Sequence, residues 1–465
     1  MSSWTPDLSD RPGPRYRAIA DALAVDVAEG RLAPGERLPT HRDLAFRLGV
    51  TVGTVTRAYA EAERRGLLGG EVGRGTFVLD PRPPDRPNPL AWHPRNDPAV
   101  VDLTAITPHH NDGDTALRAA LAALAASPES LHALMDYGPH AGLPAHRAAA
   151  AQWMARRHGL EVPPDAVLIT TGAQNALAVA ITAFVRPGEV MLAERLTNYG
   201  TKALAAALGV HLEPVALDDD GLLPDAFDAA CRRLAPKALY LVPTLQNPTA
   251  SVMPAARRAE IAAIARRHGV LIVEDDVFGF LVPGAAPIQT IAPDITLYMT
   301  SLSKSVASGL RVGYLVAPPA LFPRLEATAR ALHYCAPPLP VEIASRWLVG
   351  GQADRFVEVQ RAECAARQTL ARATLPSATV SGHPAAQHLW LVLPEPWRRD
   401  DFIGEARRRG VVVTGADTFA VGRAAAPHAV RLGLCMPRRR DDAARGLRIL
   451  AEALADPASA ALSIV

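Results

Sequence analysis

The chain of 465 residues has 49 lysines and arginines, yet only Lys202, Lys237 and Lys304 are lysines. Lys304 ends the segment Ser301-Leu302-Ser303-Lys304, seven residues before Arg311. A lysine amine can lose its proton and condense with an aldehyde, which an arginine cannot do. Serine hydroxyls and an arginine beside that amine suit a phosphate. An aldehyde that carries a phosphate is pyridoxal 5′-phosphate (PLP), so the segment predicts a PLP site. A solvated surface lysine is the alternative from this segment alone.

Three further segments each follow a predicted buried strand. Thr171 to Leu177 holds a glycine turn that opens a helix, where free N–H groups and the helix dipole favour a phosphate. Asn247 follows the apolar run at residues 238–242, and Asp275 follows the run at 270–273. Open α/β sheets bind ligands at these carboxyl ends. A carboxylate there can pair with the protonated pyridine nitrogen of PLP, although helix capping or a surface ion pair would also explain Asp275.

Arg431 stands inside an apolar, strand-like run, Ala429-Val430-Arg431-Leu432-Gly433. A buried arginine needs an anionic partner. A ligand carboxylate held by both arms of the guanidinium would supply one. The run therefore predicts that Arg431 receives the carboxylate of a small molecule.

Composition and charge are those of an ordinary globular protein, with 49% hydrophobic residues and a net charge of +2. Charged residues, proline or glycine interrupt every apolar run before it reaches the length of a membrane span, and the N-terminus lacks the apolar core of a signal peptide. The four cysteines form no CxxC pair, which argues against a zinc ribbon or a disulfide framework. We therefore predict a cytoplasmic protein without a membrane segment or a metal site.

The pattern predicts three parts. Residues 1–80 show two short helices, a tight turn and a third helix, then two strands around Gly73-Arg74-Gly75, which is typical of a winged helix-turn-helix. Residues 81–100 are a proline-rich linker. From residue 101 onward strands and helices alternate, which predicts an α/β fold with a mostly parallel sheet and a smaller α+β unit from about residue 340.

Residues 101–465 resemble the class I aminotransferases of fold type I. The matching segments stand in that family's order: Tyr137-Gly138-Pro139 with Gly142, Thr171 to Leu177, Asn247-Pro248-Thr249, Glu274-Asp275-Asp276, Ser301 to Lys304, Arg311 with Gly313-Tyr314, and Arg431. The resemblance implies that Lys304 forms the internal aldimine, Asp275 pairs with the pyridine nitrogen and Asn247 bonds the ring hydroxyl oxygen. It also implies a phosphate cradle and a carboxylate site: Ala173, Gln174, Ser301, Ser303 and Arg311, with Arg431 for the carboxylate.

Three positions depart from that family's pattern. Phe278 stands where a tyrosine phenol usually bonds the PLP ring oxygen. Asn198 occupies the place of the ring-stacking tyrosine, and Tyr199, one residue later, is the predicted cofactor contact instead. Ser308 replaces a common proline. We expect PLP binding to survive these changes, whereas efficient transamination is less secure because a missing phenol alters the proton balance of the cofactor.

Residues 12–80 resemble the winged helix of GntR-type regulators, which implies binding to double-stranded DNA. The matching stretches are Gly35 to Ala45, Leu48 to Tyr59, and Gly66 to Val78. The predicted DNA contacts lie at the helix-turn-helix and the wing tip: Arg42, Thr51, Thr54, Arg57 and Arg74. Arg57 could instead pair with Glu61 one helical turn away.

A GntR-type winged helix followed by an aminotransferase-like domain resembles the MocR subfamily of transcriptional regulators. The resemblance implies a PLP-dependent regulator that senses an amino compound through an external aldimine and binds an operator as a head-to-tail homodimer. One alternative is a working aminotransferase that uses 2-oxoglutarate, and the intact winged helix and Phe278 disfavour it. The other is a PLP-independent repressor, which the retained Lys304 disfavours.

Overall fold

The computed structural model describes residues 4–8, 14–29, 31–33, 35–64, 67–71, 75–78, 99–109, 113–376, 380–422 and 426–456. The chain divides into two compact units, residues 1–92 and 93–465. Most of the predicted linker, and Arg74 at the predicted wing tip, lie outside the described residues. The predicted domain limits at residues 80 and 100 stay a prediction.

The first unit is a three-helix core followed by a hairpin. Its elements are α1 (Arg15–Ala28), α2 (His41–Leu48), α3 (Val52–Arg64), β1 (Leu68–Glu71) and the antiparallel β2 (Gly75–Val78). Thr40 begins α2, because its hydroxyl accepts a hydrogen bond from the Asp43 N–H at 3.2 Å. Gly49 ends α2 in the left-handed region, at φ 63°. The predicted winged helix-turn-helix is confirmed.

The second unit alternates helices and strands as predicted. Its helices are α4 (Gly113–Ala125), α5 (Pro128–Ala133), α6 (Pro144–His158), α7 (Ala173–Phe184), α8 (Tyr199–Ala207), α9 (Pro224–Leu234), α10 (Ala255–His268), α11 (Phe322–His333), α12 (Pro338–Val349), α13 (Gln352–Thr374), α14 (Arg399–Arg408) and α15 (Arg440–Ala455). Its strands are β3 (Val101–Asp102), β4 (Val167–Thr170), β5 (Val190–Glu194), β6 (His211–Val215), β7 (Leu217–Asp218), β8 (Gly221–Leu222), β9 (Ala238–Leu241), β10 (Leu271–Asp275), β11 (Thr296–Ser301), β12 (Gly313–Val316), β13 (Val380–Ser381), β14 (His388–Val392), β15 (Val411–Val412), β16 (Thr414–Gly415) and β17 (Ala429–Gly433).

Seven strands form the main sheet, in the order β4-β12-β11-β10-β9-β5-β6. Only β12 runs antiparallel to its neighbours. The inner strands are buried on both faces, which is why their sequences are continuous apolar runs rather than alternating ones. Since the remaining strands are parallel, the carboxyl ends of β5, β9, β10 and β11 meet at one edge of the sheet. That edge positions the candidate site.

A second sheet, β13-β14-β17-β16, is antiparallel and carries Arg431 on β17. The short strand β3 pairs in parallel with β15, with Val101 opposite Val411. The smaller unit predicted from about residue 340 therefore also includes residues 101–102, which lie at the other end of this domain's sequence. No helix of the described part of the chain is long and apolar enough to cross a membrane.

Candidate cofactor site

A cavity of about 280 Å³ lies at the carboxyl edge of the main sheet. Eight of the nine predicted cofactor residues line it: Ala173, Gln174, Tyr199, Asp275, Ser301, Ser303, Lys304 and Arg311. The ninth, Asn247, is outside this lining and bonds Arg431, whose Nη1 donates to Asn247 Oδ1 at 2.9 Å. Segments that are far apart in the sequence thus meet because parallel strands end at the same edge.

Lys304 lies just after β11 and points its amine toward the segment that precedes α4. Its Nζ donates to the carbonyl oxygen of Ile106 at 2.6 Å. Burial, and then the positive charge of Arg431, lower the pKa of Lys304 from 10.5 to about 8, against the opposing effect of Asp275. A larger fraction of this amine is therefore neutral near pH 7 than for a solvated lysine, which favours attack on an aldehyde.

Asp275 ends β10 and is 4% exposed. Tyr240 on the neighbouring β9 donates its hydroxyl hydrogen to Asp275 Oδ2 at 2.7 Å, and the Val277 N–H donates to Oδ1 at 3.3 Å. Burial raises the pKa of Asp275 from 3.8 to about 6, although both hydrogen bonds oppose the rise. When it is ionised, such a buried carboxyl group is a strong hydrogen-bond acceptor for a pyridinium N–H.

Glu194 lies behind Asp275, at the end of β5, and is fully buried. Its Oε2 accepts from the Val242 N–H at 3.2 Å and from the Gln246 side chain at 3.3 Å. Burial raises the pKa of Glu194 from 4.5 to about 8, and the charge of Asp275 adds to the rise. Glu194 therefore keeps its proton at neutral pH, which leaves Asp275 as the carboxylate that ionises first.

The predicted phosphate cradle surrounds Arg311. Its Nη1 donates to Ser303 Oγ at 3.1 Å and its Nη2 to the Thr171 carbonyl at 3.3 Å. Gly172 precedes α7 with φ 90°, and a Cβ at this position would lie 2.5 Å from Arg311 Nη2. The absence of a side chain at residue 172 is what lets the guanidinium approach the start of α7, where N–H groups favour an anion.

Arg431 is 1% exposed. Besides Asn247, its guanidinium bonds the carbonyl oxygen of Thr104 and lies over the ring of Phe419, 4.7 Å from the centroid. Burial lowers the pKa of Arg431 from 12.5 to about 10. The guanidinium still carries its charge at neutral pH, and no carboxylate of the described residues forms a salt bridge with it.

The three residues that depart from the family pattern make local contacts. Asn198 caps α8, since its Oδ1 accepts from the Gly200 N–H at 3.1 Å, and Tyr199 begins that helix and lines the cavity. Phe278 is buried, with its ring 5.5 Å from that of His388. The Ser308 carbonyl accepts from Arg311 Nη1 at 3.4 Å.

Tyr240, Glu194 and His388 are site residues that sequence reasoning missed as such. Tyr240 lies within an apolar strand, His388 begins one, and Glu194 ends one with a carboxyl group. A polar group in a buried strand was the available signal. This sequence signal does not predict which other segment each side chain contacts.

In the first unit, two of the predicted contact residues, Thr51 and Thr54, lie at the start of α3. Thr51 caps this helix by accepting from the Thr54 N–H at 3.2 Å, and the two hydroxyl oxygens are 2.9 Å apart. Arg42 is exposed on α2. Arg57 is exposed too, with its guanidinium 5.2 Å from the centroid of the Tyr16 ring.

Two family models match the chain. Residues 15–78 match the bacterial regulatory proteins of the gntR family, and residues 98–446 match aminotransferase class I and II. The HTH-type transcriptional regulator YdeF of Bacillus subtilis is 30% identical over 455 residues, which are 98% of this chain and 97% of that protein. The chain belongs to the MocR subfamily of GntR-type transcriptional regulators. The predicted regulatory function and the predicted winged helix plus fold-type-I architecture are thereby confirmed.

Other similar proteins include a further regulator and an aminotransferase. The HTH-type pyridoxine biosynthesis transcriptional regulator PdxR of Corynebacterium glutamicum is 28% identical over 302 residues, 63% of each chain. A solved structure, the alpha-aminoadipate aminotransferase LysN of Thermus thermophilus in complex with N-(5′-phosphopyridoxyl)-L-leucine, superposes with a TM-score of 0.69. It is 25% identical and covers 78% of this chain and 94% of its own.

This family membership confirms PLP as the cofactor, and the geometry fits it. The cavity combines an amine of lowered pKa at Lys304, a buried carboxyl at Asp275 and a cradle around Arg311 that a Cβ on Gly172 would fill. These three groups are complementary to the aldehyde, the pyridine nitrogen and the phosphate of PLP.

Proposed function

We propose that the second unit holds PLP and senses a small amino compound with a carboxylate, and that this binding changes the affinity of the winged helix for its DNA operator. The observation that carries the proposal is that Lys304 and Asp275 line one cavity, and that the charge of Arg431 lowers the pKa of Lys304, in a protein that also has a DNA-binding domain. An enzyme would need only the PLP-binding unit and a simple repressor only the DNA-binding unit, whereas a ligand-responsive regulator needs both.

Each predicted residue has a proposed role toward PLP. Lys304 holds the aldehyde carbon, Asp275 the pyridine nitrogen and Asn247 the ring oxygen. The remaining groups hold the phosphate and the ring: Ala173, Gln174, Ser301, Ser303 and Arg311 for the phosphate, and Tyr199 for the ring. PLP bound there would supply an electrophilic carbon that can bond an amino group.

Arg431 would receive the carboxylate of the effector. It belongs to the second sheet, whereas Lys304 follows a strand of the main sheet. A ligand whose amino end replaces Lys304 and whose carboxylate binds Arg431 therefore spans both sheets. Binding energy that depends on their relative position favours one arrangement over another, which is how a ligand shifts a conformational equilibrium.

On the DNA side, we propose that Arg42, Thr51, Thr54, Arg57 and Arg74 contact the operator. Residues 11–80 contain 11 arginines and 9 acidic residues, a net charge of only +2. One such unit neutralises few phosphates, so we infer that a head-to-tail homodimer places two of them on neighbouring half-sites. This function belongs in the cytoplasm, where the operator is accessible.

Operator affinity tests the proposal. Fluorescence anisotropy at one salt concentration compares the full chain with residues 1–80 while amino acids and amino carboxylates are added. The full chain should bind more tightly by roughly 10²- to 10⁴-fold because two linked units bind together, and only the full chain should respond to an effector. Equal affinity, or a response of the fragment, would refute the proposal.

Arg431→Ala should retain PLP and lose effector affinity by roughly ten- to hundredfold, the loss expected for a charge-assisted bidentate contact of about 1.5–3 kcal/mol. The effector affinity of Arg431→Lys, which keeps the charge but not the paired geometry, should lie between those of the unchanged protein and Arg431→Ala. An unchanged titration would exclude the carboxylate role. Steady turnover of an amino acid with 2-oxoglutarate would instead support a working aminotransferase.

A further inference from the structure

His388 on β14 is fully buried, and one of its ring nitrogens has no partner. Its Nε2 lies 2.9 Å from the carbonyl oxygen of Gln246. A carbonyl only accepts, so Nε2 carries the hydrogen and Nδ1 is a bare acceptor. Nδ1 makes no hydrogen bond with any described residue. Leaving a buried acceptor unpaired is unfavourable, which points to a function for this nitrogen.

The pairing of strands places His388 beside Arg431. Trp390 on β14 stands directly opposite Arg431 on β17. Since side chains alternate along a strand, His388 and Trp390 share a face, and His388 is the diagonal neighbour of Arg431 on it. Burial, and then the charges of Arg431 and Lys304, lower the pKa of His388 from 6.5 to about 3. The ring is therefore neutral, and Nδ1 stays an acceptor across the physiological pH range.

Arg431 has an open group of its own. Its buried Nε is a donor without a partner among the described atoms, and it does not bond His388 Nδ1. The ring centroid of Phe278 lies 5.5 Å from that of His388, but a phenyl ring has no polar hydrogen to donate to His388 Nδ1. His388 Nδ1 and Arg431 Nε are thus two buried polar atoms without a described partner on one face of the second sheet.

We propose that His388 Nδ1 accepts a hydrogen bond from a hydroxyl or amide N–H of the effector. The effector class is then an amino compound with a carboxylate for Arg431 and a neutral donor near that carboxylate. This inference rests on the proposed function, since it assigns the chemistry of the molecule that the site senses. A buried polar group that loses its partner penalises the analogue that lacks the donor.

The test uses the full chain loaded with PLP and pairs of ligands in which a hydroxyl replaces a methyl. The pairs are L-threonine with L-valine, L-serine with L-2-aminobutyrate, and 4-amino-3-hydroxybutanoate with 4-amino-3-methylbutanoate. Calorimetry and the absorbance of the cofactor give the dissociation constants. The hydroxyl member of at least one pair should bind about tenfold more tightly or better, as expected from a hydrogen bond of about 1.4 kcal/mol.

Two variants of His388 separate recognition from packing. In His388→Gln, the amide nitrogen can still donate to the Gln246 carbonyl, but no acceptor remains at the place of Nδ1. In His388→Asn, an amide oxygen can take that place, and the contact with Gln246 is lost. We expect the hydroxyl preference to vanish in His388→Gln and to persist in His388→Asn, with PLP content and circular dichroism confirming that both are folded.

Each other outcome has a distinct meaning. Binding without a hydroxyl preference in the unchanged protein, or a preference that survives in His388→Gln, overturns the role of His388 and leaves the sensor function standing. If none of the six compounds binds the PLP-loaded protein, the role of His388 is wrong, whereas the sensor function is decided by the operator-affinity test with the wider panel of amino compounds. A purely structural histidine would make His388→Asn the more damaged variant in PLP content and would leave the ratio within each pair unchanged.

Discussion

Replacing Glu194 by glutamine should make the second unit more stable at alkaline pH. In the unfolded chain the Glu194 carboxyl has an ordinary pKa of 4.5, whereas burial raises the folded value to about 8. Between these two values the folded chain binds a proton that the unfolded chain has released. Stability from this group is therefore complete below pH 4.5 and falls as the pH rises toward 8. Glutamine has the shape of the protonated acid and no such dependence.

The expected size follows from these two pKa values. Between pH 5 and pH 8, the free energy of unfolding of the unchanged protein should fall, relative to Glu194→Gln, by roughly 3–4 kcal/mol, since one pH unit corresponds to about 1.36 kcal/mol. The oxygen of glutamine can still accept from the Val242 N–H, so the hydrogen bonding at Oε2 is preserved. The pH term should thus dominate the difference.

Thermal unfolding of both proteins at pH 5 and pH 8 measures this difference. The advantage of Glu194→Gln should grow by several degrees between the two pH values. Glu260→Gln is the matched control, because Glu260 is exposed on α10 and should give the same difference at both pH values. An advantage of Glu194→Gln that stays constant would show that Glu194 is ionised in the folded protein, and the assignment of Asp275 as the carboxyl that ionises first would be wrong.

Gly172→Ala should weaken PLP binding by roughly tenfold or more, because the new Cβ would lie 2.5 Å from Arg311 Nη2 and would move that guanidinium out of the phosphate cradle. Gly188→Ala, at φ 83° with open space around it, meets similar backbone strain without that clash, so comparable losses in equilibrium dialysis would contradict the cradle. Lys304→Ala should fold but yield no pyridoxyl-lysine in mass spectra after borohydride reduction; a labelled variant would place the aldehyde on another lysine. Phe278→Tyr should move the pH titration of the cofactor absorbance to lower pH, since a phenol that donates to the ring oxygen favours its anionic form. Identical titrations would show that residue 278 does not contact PLP.

The sequence alone predicted the order of the elements and most of the residues that line the candidate cofactor cavity. Lys304, Asp275 and the Thr171–Leu177 turn each follow an apolar run. Each strand, turn and reactive side chain can therefore be recognised within one short segment. Because parallel strands end at one edge, local reading also predicted that these segments converge. The same holds for Thr40 and Thr51, whose capping contacts reach only three residues along the chain.

The tertiary structure decided which groups face one another across long stretches of chain. The carbonyl of Thr104 meets Arg431, and the amine of Lys304 meets Ile106, across 327 and 198 residues. Sequence periodicity predicts which face of a strand is buried, but the partner of a buried polar group depends on the path of the whole chain. For this reason the sequence predicted that Arg431 is buried and needs an anion. The protonation of Glu194 and the missing hydrogen-bond partner of His388 Nδ1 could be inferred only from the tertiary structure.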